Sequence, residues 1–270
     1  MGALGRGYSA GAKVFAFRQN DIFAAMLLTL IADPHIADSP ADTRGTDTQA
    51  NFNRVVQAVR RRPPDRVVLL GDYSARAPRR QDVEWVAARL TLAEVPFDAI
   101  AGNHDDARAV AEVCGPRSGL IGERLYYRRD LDATRALYLD TSRAVLDRAQ
   151  LDWVQQNIQG ARGPVLVFMH HPPLVAGVPF MDAHHALRDP GGELYDILFA
   201  GVTPVHVFCG HYHTARTVGV GPHTVHLCPS TYFQIDASEE AFATVPHRMP
   251  GVRHVQVTGQ RVVSWVEFLG

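Results

Sequence analysis

The hydrophobic residues of this chain form short continuous runs, and residues that can bind a metal or move a proton follow five of these runs. The five runs are MLLTLI, RVVLL, FDAIA, VLVFM and VHVFC. A short apolar run without alternation is typical of a strand that is buried on both faces. The residues that follow the runs are, in chain order, Asp33 and His35, Asp72, Asn103 with His104 and Asp105, His170 with His171, and His211 with His213. Because ligand sites of open α/β sheets form beyond the carboxyl ends of the strands, we expect these side chains to meet at one edge of the fold.

Between the apolar runs, the spacing of hydrophobic residues changes to that of amphipathic helices. Phe52, Val55, Val56 and Val59 recur on one face and predict a helix over residues 48–62, which two prolines end. The other predicted helices span residues 81–93, 107–113, 148–158 and 193–201. The alternation of strands and helices in the first part of the chain indicates parallel strands joined by crossover helices.

The second half of the chain adds shorter segments. The strands RLYYRRD and RALYLDT predict a hairpin, and residues 174–190 are predicted to form a long loop. The segments ARTVGV, HTVHLCPS, VRHVQV and VVSWVEF alternate as antiparallel strands do, with TGQ as the turn of the last hairpin. These elements predict one α/β domain over residues 26–270, with stacked mixed sheets and helices outside them. Residues 1–25, rich in Gly and Ala and without periodicity, are predicted to be a peripheral N-terminal extension.

Composition and charge narrow the function. The chain has 27 Lys and Arg against 28 Asp and Glu, so it lacks the basic excess of nucleic-acid-binding proteins, and no specific nucleic acid partner is expected. No uninterrupted apolar stretch reaches the roughly 18 residues that a membrane span requires. The three cysteines form no CxxC pair and no secretory signal is recognisable, so we expect a cytoplasmic protein. The composition leaves open whether the chain forms a homodimer.

Each motif taken alone has a structural explanation as well as a functional one. Asp33 and His35 are two residues apart, so both would face one side of an extended segment, but an Asp in this position also caps turns. The segment Gly102-Asn103-His104-Asp105 also fits the capping of a following helix. Oxygen and imidazole ligands without thiolate are typical of Mn, Fe, Zn or Mg sites. Chance alone would have to place potential metal ligands at the ends of five separate strands. We therefore predict a metal site large enough for two ions.

In this order and spacing, the motifs D-x-H, G-D, G-N-H-D, H and G-H-x-H resemble those of the calcineurin-like metallophosphoesterase superfamily. The resemblance extends from about Met26 to Phe233. It implies a four-layer αββα sandwich of two mixed β-sheets flanked by helices, and two metal ions drawn from Mn, Fe and Zn. The first ion would be held by Asp33, His35, Asp72 and His213, and the second by Asp72, Asn103, His170 and His211.

The same resemblance implies a mechanism. Two neighbouring ions, bridged by Asp72, would share a hydroxide that attacks phosphorus. His104 matches the catalytic histidine of the family, which is not a metal ligand, and would protonate the leaving oxygen.

Four further segments, LYLDTS, MHHPP, VPFMD and CPST-x-x-Q, resemble the class III cyclic nucleotide phosphodiesterases. This resemblance implies a small-molecule phosphoester, a 3′,5′-cyclic nucleotide, as the substrate. Pro34 and the pair Tyr73-Ser74 depart from the residues usual at these positions, which leaves the substrate preference open. The alternatives are a phosphomonoesterase, a nucleotide pyrophosphatase or a nuclease of the same superfamily, and a non-catalytic scaffold with the same fold. A scaffold would lack ligands or the proton donor, whereas every such position is filled here.

Overall fold

The computed structural model describes residues 25–132, 134–189 and 192–270, so the predicted extension over residues 1–25 lies outside them except for Ala25. The strands are β1 (Met26–Ile31), β2 (Arg66–Leu69), β3 (Phe97–Ala99), β4 (Leu120–Ile121), β5 (Arg124–Leu125), β6 (Tyr127–Leu131), β7 (Thr134–Tyr138), β8 (Val165–Met169), β9 (Val205–Cys209), β10 (Arg216–Val220), β11 (His223–Leu227), β12 (Gly251–Thr258) and β13 (Arg261–Phe268). The α-helices are α1 (Thr48–Arg61), α2 (Arg80–Leu92), α3 (Ala107–Cys114), α4 (Arg148–Ile158), α5 (Pro179–His184) and α6 (Glu193–Phe199). None of these described helices has the length and hydrophobicity that crossing a membrane requires.

The first sheet has the strand order β13-β12-β1-β2-β3. β1, β2 and β3 run parallel to one another, as the alternation of strands and helices predicts. The C-terminal hairpin of β12 and β13 is also confirmed, and β12 pairs antiparallel with β1. The sheet is therefore mixed, with the first strand of the domain at its centre.

The second sheet has the strand order β10-β11-β9-β8-β7-β6. Its four central strands are parallel, and the antiparallel strands β6 and β10 lie at its two edges. The predicted hairpin is confirmed for β6 and β7, but the first two residues of the segment RLYYRRD form β5 and pair with β4 instead. This sheet is mixed as well.

The two sheets pack face to face, and helices cover their outer faces. Alternate residues of β8 enter different cores: Leu166 and Phe168 face the first sheet and its core, whereas Val165, Val167 and Met169 pack with α4 and α6. A strand whose alternate residues enter two cores is buried on both faces, which explains why its sequence is continuously apolar. The predicted four-layer αββα sandwich is confirmed.

The prediction of a loop over residues 174–190 is wrong in one respect, because the segment contains α5. Pro179 begins this helix, and Asp182 within it accepts hydrogen bonds from the backbone N–H groups of Ala176 (3.0 Å) and Val178 (2.8 Å). A helix of six residues is too short to show a hydrophobic period in the sequence. The other predicted helices end within two residues of the observed bounds.

Candidate metal centre

The structure brings the seven predicted metal ligands and His104 together at the carboxyl ends of five strands. The potential ligand atoms form three groups, each within 4.8 Å: Asp33 with His35 and His213, Asp72 with His170 and His211, and His35 with Asp72 and His104. Asn103 adjoins the second group, because its Oδ1 lies 3.1 Å from Nε2 of His170. The side chains that the sequence predicts as ligands therefore share one location.

The carboxylate of Asp72 lies between the first two groups. Its Oδ2 is 3.6 Å from Nε2 of His35, and its Oδ1 is 3.3 Å from Nε2 of His170. Oδ1 of Asp33 is 3.6 Å from Nε2 of His213 and 3.9 Å from Nε2 of His170. Each oxygen of Asp72 thus faces a different group of imidazoles.

Hydrogen bonds between the turns hold the strand ends together. The backbone N–H of Asp33 donates to the carbonyl of Gly71 (3.2 Å), and that of His35 donates to the carbonyl of Asp72 (3.0 Å). The backbone N–H of His211 donates to both carboxylate oxygens of Asp33, at 2.9 and 3.1 Å. The last interaction joins the first sheet to the second at the centre itself.

Five candidate ligands have a backbone conformation that is uncommon outside glycine. The φ angles are 52° at Asp33, 43° at His35, 59° at Asp72, 63° at His211 and 43° at His213. Such a conformation costs on the order of 1–3 kcal/mol per residue and persists only where the surroundings enforce it. The concentration of these turns at one place indicates that the fold uses them to aim the side chains.

Glycines next to the ligands allow a very close approach of chain segments. A Cβ atom on Gly102 would lie 2.2 Å from Oδ1 of Asp72 and 2.8 Å from Cε1 of His170. A Cβ atom on Gly210 would lie 2.9 Å from Oδ2 of Asp33. The two carboxylates can occupy their observed positions only because these neighbours have no side chain.

We expect Gly102→Ala to displace Asp72 and His170, and so to reduce metal content and activity together. The forced rearrangement should lower the free energy of unfolding by about 1–3 kcal/mol. Gly201→Ala is the matched control, because nothing lies within 4 Å of a Cβ atom at that position. Metal analysis, activity and thermal unfolding of both variants measure the effect. A Gly102→Ala protein with unchanged metal content and activity would contradict the packing described above.

Hydrogen bonds on the outer side of the imidazoles decide which ring nitrogen faces the centre. Nδ1 of His170 lies 2.7 Å from the carbonyl oxygen of Leu70, and Nδ1 of His35 lies 3.2 Å from that of Ser74. Because a carbonyl oxygen only accepts hydrogen bonds, each Nδ1 donates and Nε2 is left for a metal. His211 is reversed, since its Nε2 lies 3.0 Å from a carbonyl oxygen in the segment after α5.

Burial and neighbouring charge set the protonation of these groups. Burial lowers the pKa of His35 to about 4, although Asp72 opposes the change, and burial also lowers the pKa of His211 well below its usual value. Burial acts in the same direction on His170, but Asp72 and Asp33 outweigh it and raise the pKa of His170 to about 9. The same contact with His170 holds the pKa of Asp72 well below its usual value, against the effect of burial. His170 and Asp72, whose Nε2 and Oδ1 atoms lie 3.3 Å apart, therefore each favour the charged form of the other.

The carboxylate of Asp105 has a role that its place in the sequence motif did not reveal. It accepts hydrogen bonds from the backbone N–H groups of Asp72 (2.6 Å), Tyr73 (2.8 Å) and Gly102 (2.8 Å). The cap of α3 is the next residue, Asp106. Asp105 thus holds the turn after β2 against the turn after β3, which fixes the position of Asp72.

Two of the segments that resemble cyclic nucleotide phosphodiesterases support the ligand turns. Ser230 donates from Oγ to the carbonyl of Asp33 (2.9 Å), and the side-chain amide of Gln234 bonds both the N–H (3.2 Å) and the carbonyl (2.7 Å) of Ser230. The hydroxyl of Thr141 lies 3.0 Å from the backbone nitrogen of His171 and 3.1 Å from its Nδ1. These contacts give the segments CPST-x-x-Q and LYLDTS a structural function beside the centre.

His104 lies beside the first group of ligands and is partly exposed. Its backbone N–H donates to Oδ1 of Asp72 (2.8 Å), and its Nδ1 lies 2.8 Å from the carbonyl oxygen of Arg76. The ring centroid is 5.0 Å from that of His35. With Nδ1 engaged, Nε2 of His104 is the atom available to a bound molecule.

A cleft of about 570 Å³ opens over the centre, and this volume suits a small-molecule ligand. His104 and five of the candidate ligands line it together with two arginines, Arg44 and Arg76. Three phenylalanines, Phe180, Phe233 and Phe242, also line it. The cleft therefore combines a floor of metal-binding groups with cationic and aromatic side chains.

The sequence model of the calcineurin-like phosphoesterase family matches residues 26–215, which include every residue of the centre. The chain belongs to the calcineurin-like phosphoesterase family. It is a phosphoric ester hydrolase, as its resemblance to this family predicts.

Two relatives and one solved structure are similar to this phosphoesterase. It is 34% identical over 226 residues to a protein of Synechococcus named probable cyclic nucleotide phosphodiesterase, covering 80% of this chain and 85% of the relative. It is 30% identical over 227 residues to the glycerophosphodiester phosphodiesterase of Enterobacter lignolyticus, covering 80% and 81%. A dimetal phosphatase from Danio rerio has the same fold, with a TM-score of 0.63 at 17% identity over 91% of this chain and 99% of that one.

The ligand groups of this phosphoesterase fit divalent cations. Asp33 and Asp72 are only 0% and 2% exposed, and their ion-pair partners within the described residues are histidines rather than Lys or Arg. Nε2 of His35 also lies 3.2 Å from Nε2 of His213. Buried carboxylates and converging imidazole nitrogens need a compensating cation, and a metal ion supplies one. The His and Asp cluster is therefore compatible with a dinuclear metal site.

Proposed function

We propose that this phosphoesterase hydrolyses a phosphodiester, with a 3′,5′-cyclic nucleotide as its best substrate, using two metal ions and His104. The observation that carries the proposal is the pair of ligand groups that share Asp72 and lie beside His104 on the floor of one cleft. A site that only stabilised the fold would need neither the shared carboxylate nor the open cleft.

In this proposal the ligands divide between the ions as the family resemblance implies. Asp33, His35, Asp72 and His213 hold the first ion, and Asp72, Asn103, His170 and His211 hold the second. When bound, two such ions lower the pKa of a water molecule between them and offset the charge on phosphate oxygens. The oxygen and imidazole donors suit Mn, Fe or Zn.

His104 donates the proton that the leaving oxygen requires. Its Nδ1 is held by the carbonyl of Arg76, so the ring has a fixed orientation with Nε2 on the side of the cleft. Imidazole is the usual proton donor of enzymes at neutral pH. The hydrogen bond from the backbone of His104 to Asp72 keeps the donor at a constant separation from the ligand that both ions share.

The names of the relatives and the chemistry of the cleft both support a diester. One relative is named for a cyclic nucleotide and the other for a glycerophosphodiester, and in both esters one phosphate carries two ester bonds. The cleft has the volume for a small organic phosphoester. Its aromatic side chains favour the cyclic nucleotide, because a nucleobase offers a flat apolar face.

Assaying the metal-loaded protein on esters of increasing specificity tests the proposal. We expect bis-p-nitrophenyl phosphate to react faster than p-nitrophenyl phosphate, and adenosine 3′,5′-cyclic monophosphate to give the highest kcat/KM. Dialysis against a chelator should abolish the activity, and Mn, Fe or Zn should restore it. A preference for the monoester would assign the protein to the phosphomonoesterases, and activity that survives chelation would refute metal dependence.

We propose that the enzyme is cytoplasmic. That it forms a homodimer stays a prediction. The cysteines are free thiols, and Cys209 and Cys228 are buried, which is typical of proteins from a reducing compartment. Fractionation of cells tests the location, and light scattering of the purified protein tests the oligomeric state.

A further inference from the structure

One side of the cleft is aromatic, and we call Phe180, Phe233 and Phe242 the aromatic wall. The ring of Phe233 packs 4.6 Å from that of His213, a candidate ligand. Phe242 follows at 6.0 Å from Phe233, and Phe180 lies 5.5 Å from Phe242. The wall therefore begins at the metal centre and extends outward from it.

Exposure increases from Phe233 to Phe242. Phe233 is 8% exposed, whereas Phe242 is 37% exposed. Phe242 meets Phe233 and Phe180 nearly edge to face, at interplanar angles of 80° and 70°. At these angles neither of the other two phenylalanines stacks flat on the Phe242 ring.

Arg44 lies over one face of Phe242, with its guanidinium carbon 4.7 Å from the ring centroid. Arg76, the other arginine of the cleft, pairs with Asp42 at 3.1 Å, whereas Arg44 pairs with no carboxylate of the described residues. Arg44 is exposed and has a φ angle of 50°. A planar cation is thus presented at the outer part of the wall and is not neutralised by a carboxylate there.

Backbone hydrogen bonds fix the segment that carries Phe242. The N–H of Asp236 donates to the carbonyl of Ala243 (2.9 Å), and the N–H of Val245 donates to the carbonyl of Gln234 (3.1 Å). These bonds form a short antiparallel pairing on both sides of Phe242. The backbone of Phe242 is therefore held at the end of a closed loop, directly before the paired residue Ala243.

The helix that carries Phe180 is tied to the centre as well. Asp182 of α5 accepts a hydrogen bond from the hydroxyl of Tyr212 (3.0 Å), and Tyr212 stands between the candidate ligands His211 and His213. The position of Phe180 is thus coupled to the turn that carries two ligands. Phe233, which packs on His213, and the helix that carries Phe180 therefore both contact the turn of these two candidate ligands.

The chemistry of the aromatic wall selects among diesters. In the proposed function the metal centre and His104 bind the phosphate. The wall therefore faces the group that is esterified to the phosphate. A glycerol or ethanolamine substituent has no flat apolar face, whereas a nucleobase stacks on aromatic rings and on guanidinium planes. The guanidinium of Arg44 adds a cation, which is attracted to the face of a π-system such as a nucleobase.

We infer that the aromatic wall and Arg44 bind the nucleobase of the substrate, an inference that rests on the phosphodiesterase function proposed above. The base packs on the exposed part of Phe242 with Phe180 beside it, and the guanidinium of Arg44, which lies over one face of Phe242, borders the base at the rim. The wall thereby determines specificity, and the reacting atoms lie at the metals and His104.

The test compares a diester that carries a nucleobase with one that carries none. We measure kcat and KM for adenosine 3′,5′-cyclic monophosphate and for glycerophosphoethanolamine with the wild type, Phe242→Ala and Arg44→Ala. Loss of one stacking partner should raise KM for the cyclic nucleotide about 10-fold, while kcat changes much less. The ratio of kcat/KM between the two esters should fall by the same factor, and Phe242→Trp should retain the wild-type ratio.

Phe268→Ala is the matched control, because Phe268 is 38% exposed like Phe242 but lies on β13, outside the cleft. Its ratio should equal that of the wild type. An unchanged ratio in both Phe242→Ala and Arg44→Ala overturns the inference and leaves the phosphodiesterase function intact. A wild type that hydrolyses only the ringless diester overturns it too, whereas a metal-loaded wild type that hydrolyses no phosphodiester refutes the proposed function itself.

Discussion

Replacing Asp72 with asparagine should cost the protein both metal ions and lower kcat/KM for a phosphodiester by about 10³-fold or more. A bound metal contributes several kcal/mol to the stabilisation of transition-state charge, and each 1.36 kcal/mol corresponds to about tenfold in rate. The two oxygens of Asp72 face His35 and His170 at 3.6 and 3.3 Å, so one substitution weakens both ligand groups. An amide still accepts the hydrogen bond from the backbone of His104, which preserves the local fold.

A second buried aspartate provides the control for this substitution. Asp98 is 1% exposed, pairs with Arg129 at 2.8 Å and lies on β3 away from the centre. Asp98→Asn also removes one buried negative charge without changing the size of the side chain, and it should keep both ions and most of the activity. Elemental analysis and kinetics of the two variants make the comparison. If Asp72→Asn held two ions per chain and were as active as Asp98→Asn, Asp72 would not be the ligand that bridges the ions.

Replacing His104 with alanine should keep both ions and lower kcat by about 10²–10⁴-fold, the usual effect of losing a general acid. The loss should depend on the leaving group. A sugar alkoxide needs a proton as it departs, whereas p-nitrophenolate is stable without one. The decrease should therefore be large for adenosine 3′,5′-cyclic monophosphate and much smaller for bis-p-nitrophenyl phosphate.

This dependence separates a proton donor from a metal ligand. A potential ligand atom of His104 lies within 4.8 Å of those of His35 and Asp72, so the distances alone permit either role. If His104 held a metal, its removal would reduce the metal content and slow both esters equally. His254→Ala is the control, because His254 is also partly buried but packs on Trp265 of β13. It should affect neither ester.

The gross fold and the positions of the candidate ligands could be predicted because both follow from local patterns. Continuous apolar runs mark strands that are buried on both faces, and the first three strands, with helices between them, must be parallel. The residues directly after such strands must then meet at one edge. His211 and His213, like Asp33 and His35, reach the centre for this reason.

The supporting contacts could not be predicted, because they join segments that are far apart in the chain. Asp105 holds a turn 32 and 33 residues away, and no local pattern distinguishes this role from that of a helix cap. The space available at Gly102 depends on Asp72 and His170, which come from two different sheets. Tyr73, which departs from the residue usual at its position, is fully buried, and its hydroxyl donates to the carbonyl of Ile100 (3.1 Å).

The contact between Phe180 and Phe242, and the helix α5, could not be predicted for the same physical reason. Phe180 and Phe242 lie in segments without strand or helix periodicity, and they meet only because the two segments fold over the same edge of the sandwich. Arg44 reaches Phe242 from the loop after β1. The groups that we expect to select the substrate therefore come from segments that connect the strands, as is common for binding residues on a rigid scaffold.

Anomalous diffraction from crystals of the metal-loaded protein tests the dinuclear centre most directly. We predict two peaks on either side of the Asp72 carboxylate, one among Asp33, His35 and His213 and the other among Asn103, His170 and His211. A single peak, or peaks away from these side chains, would contradict the dinuclear centre and with it the proposed mechanism.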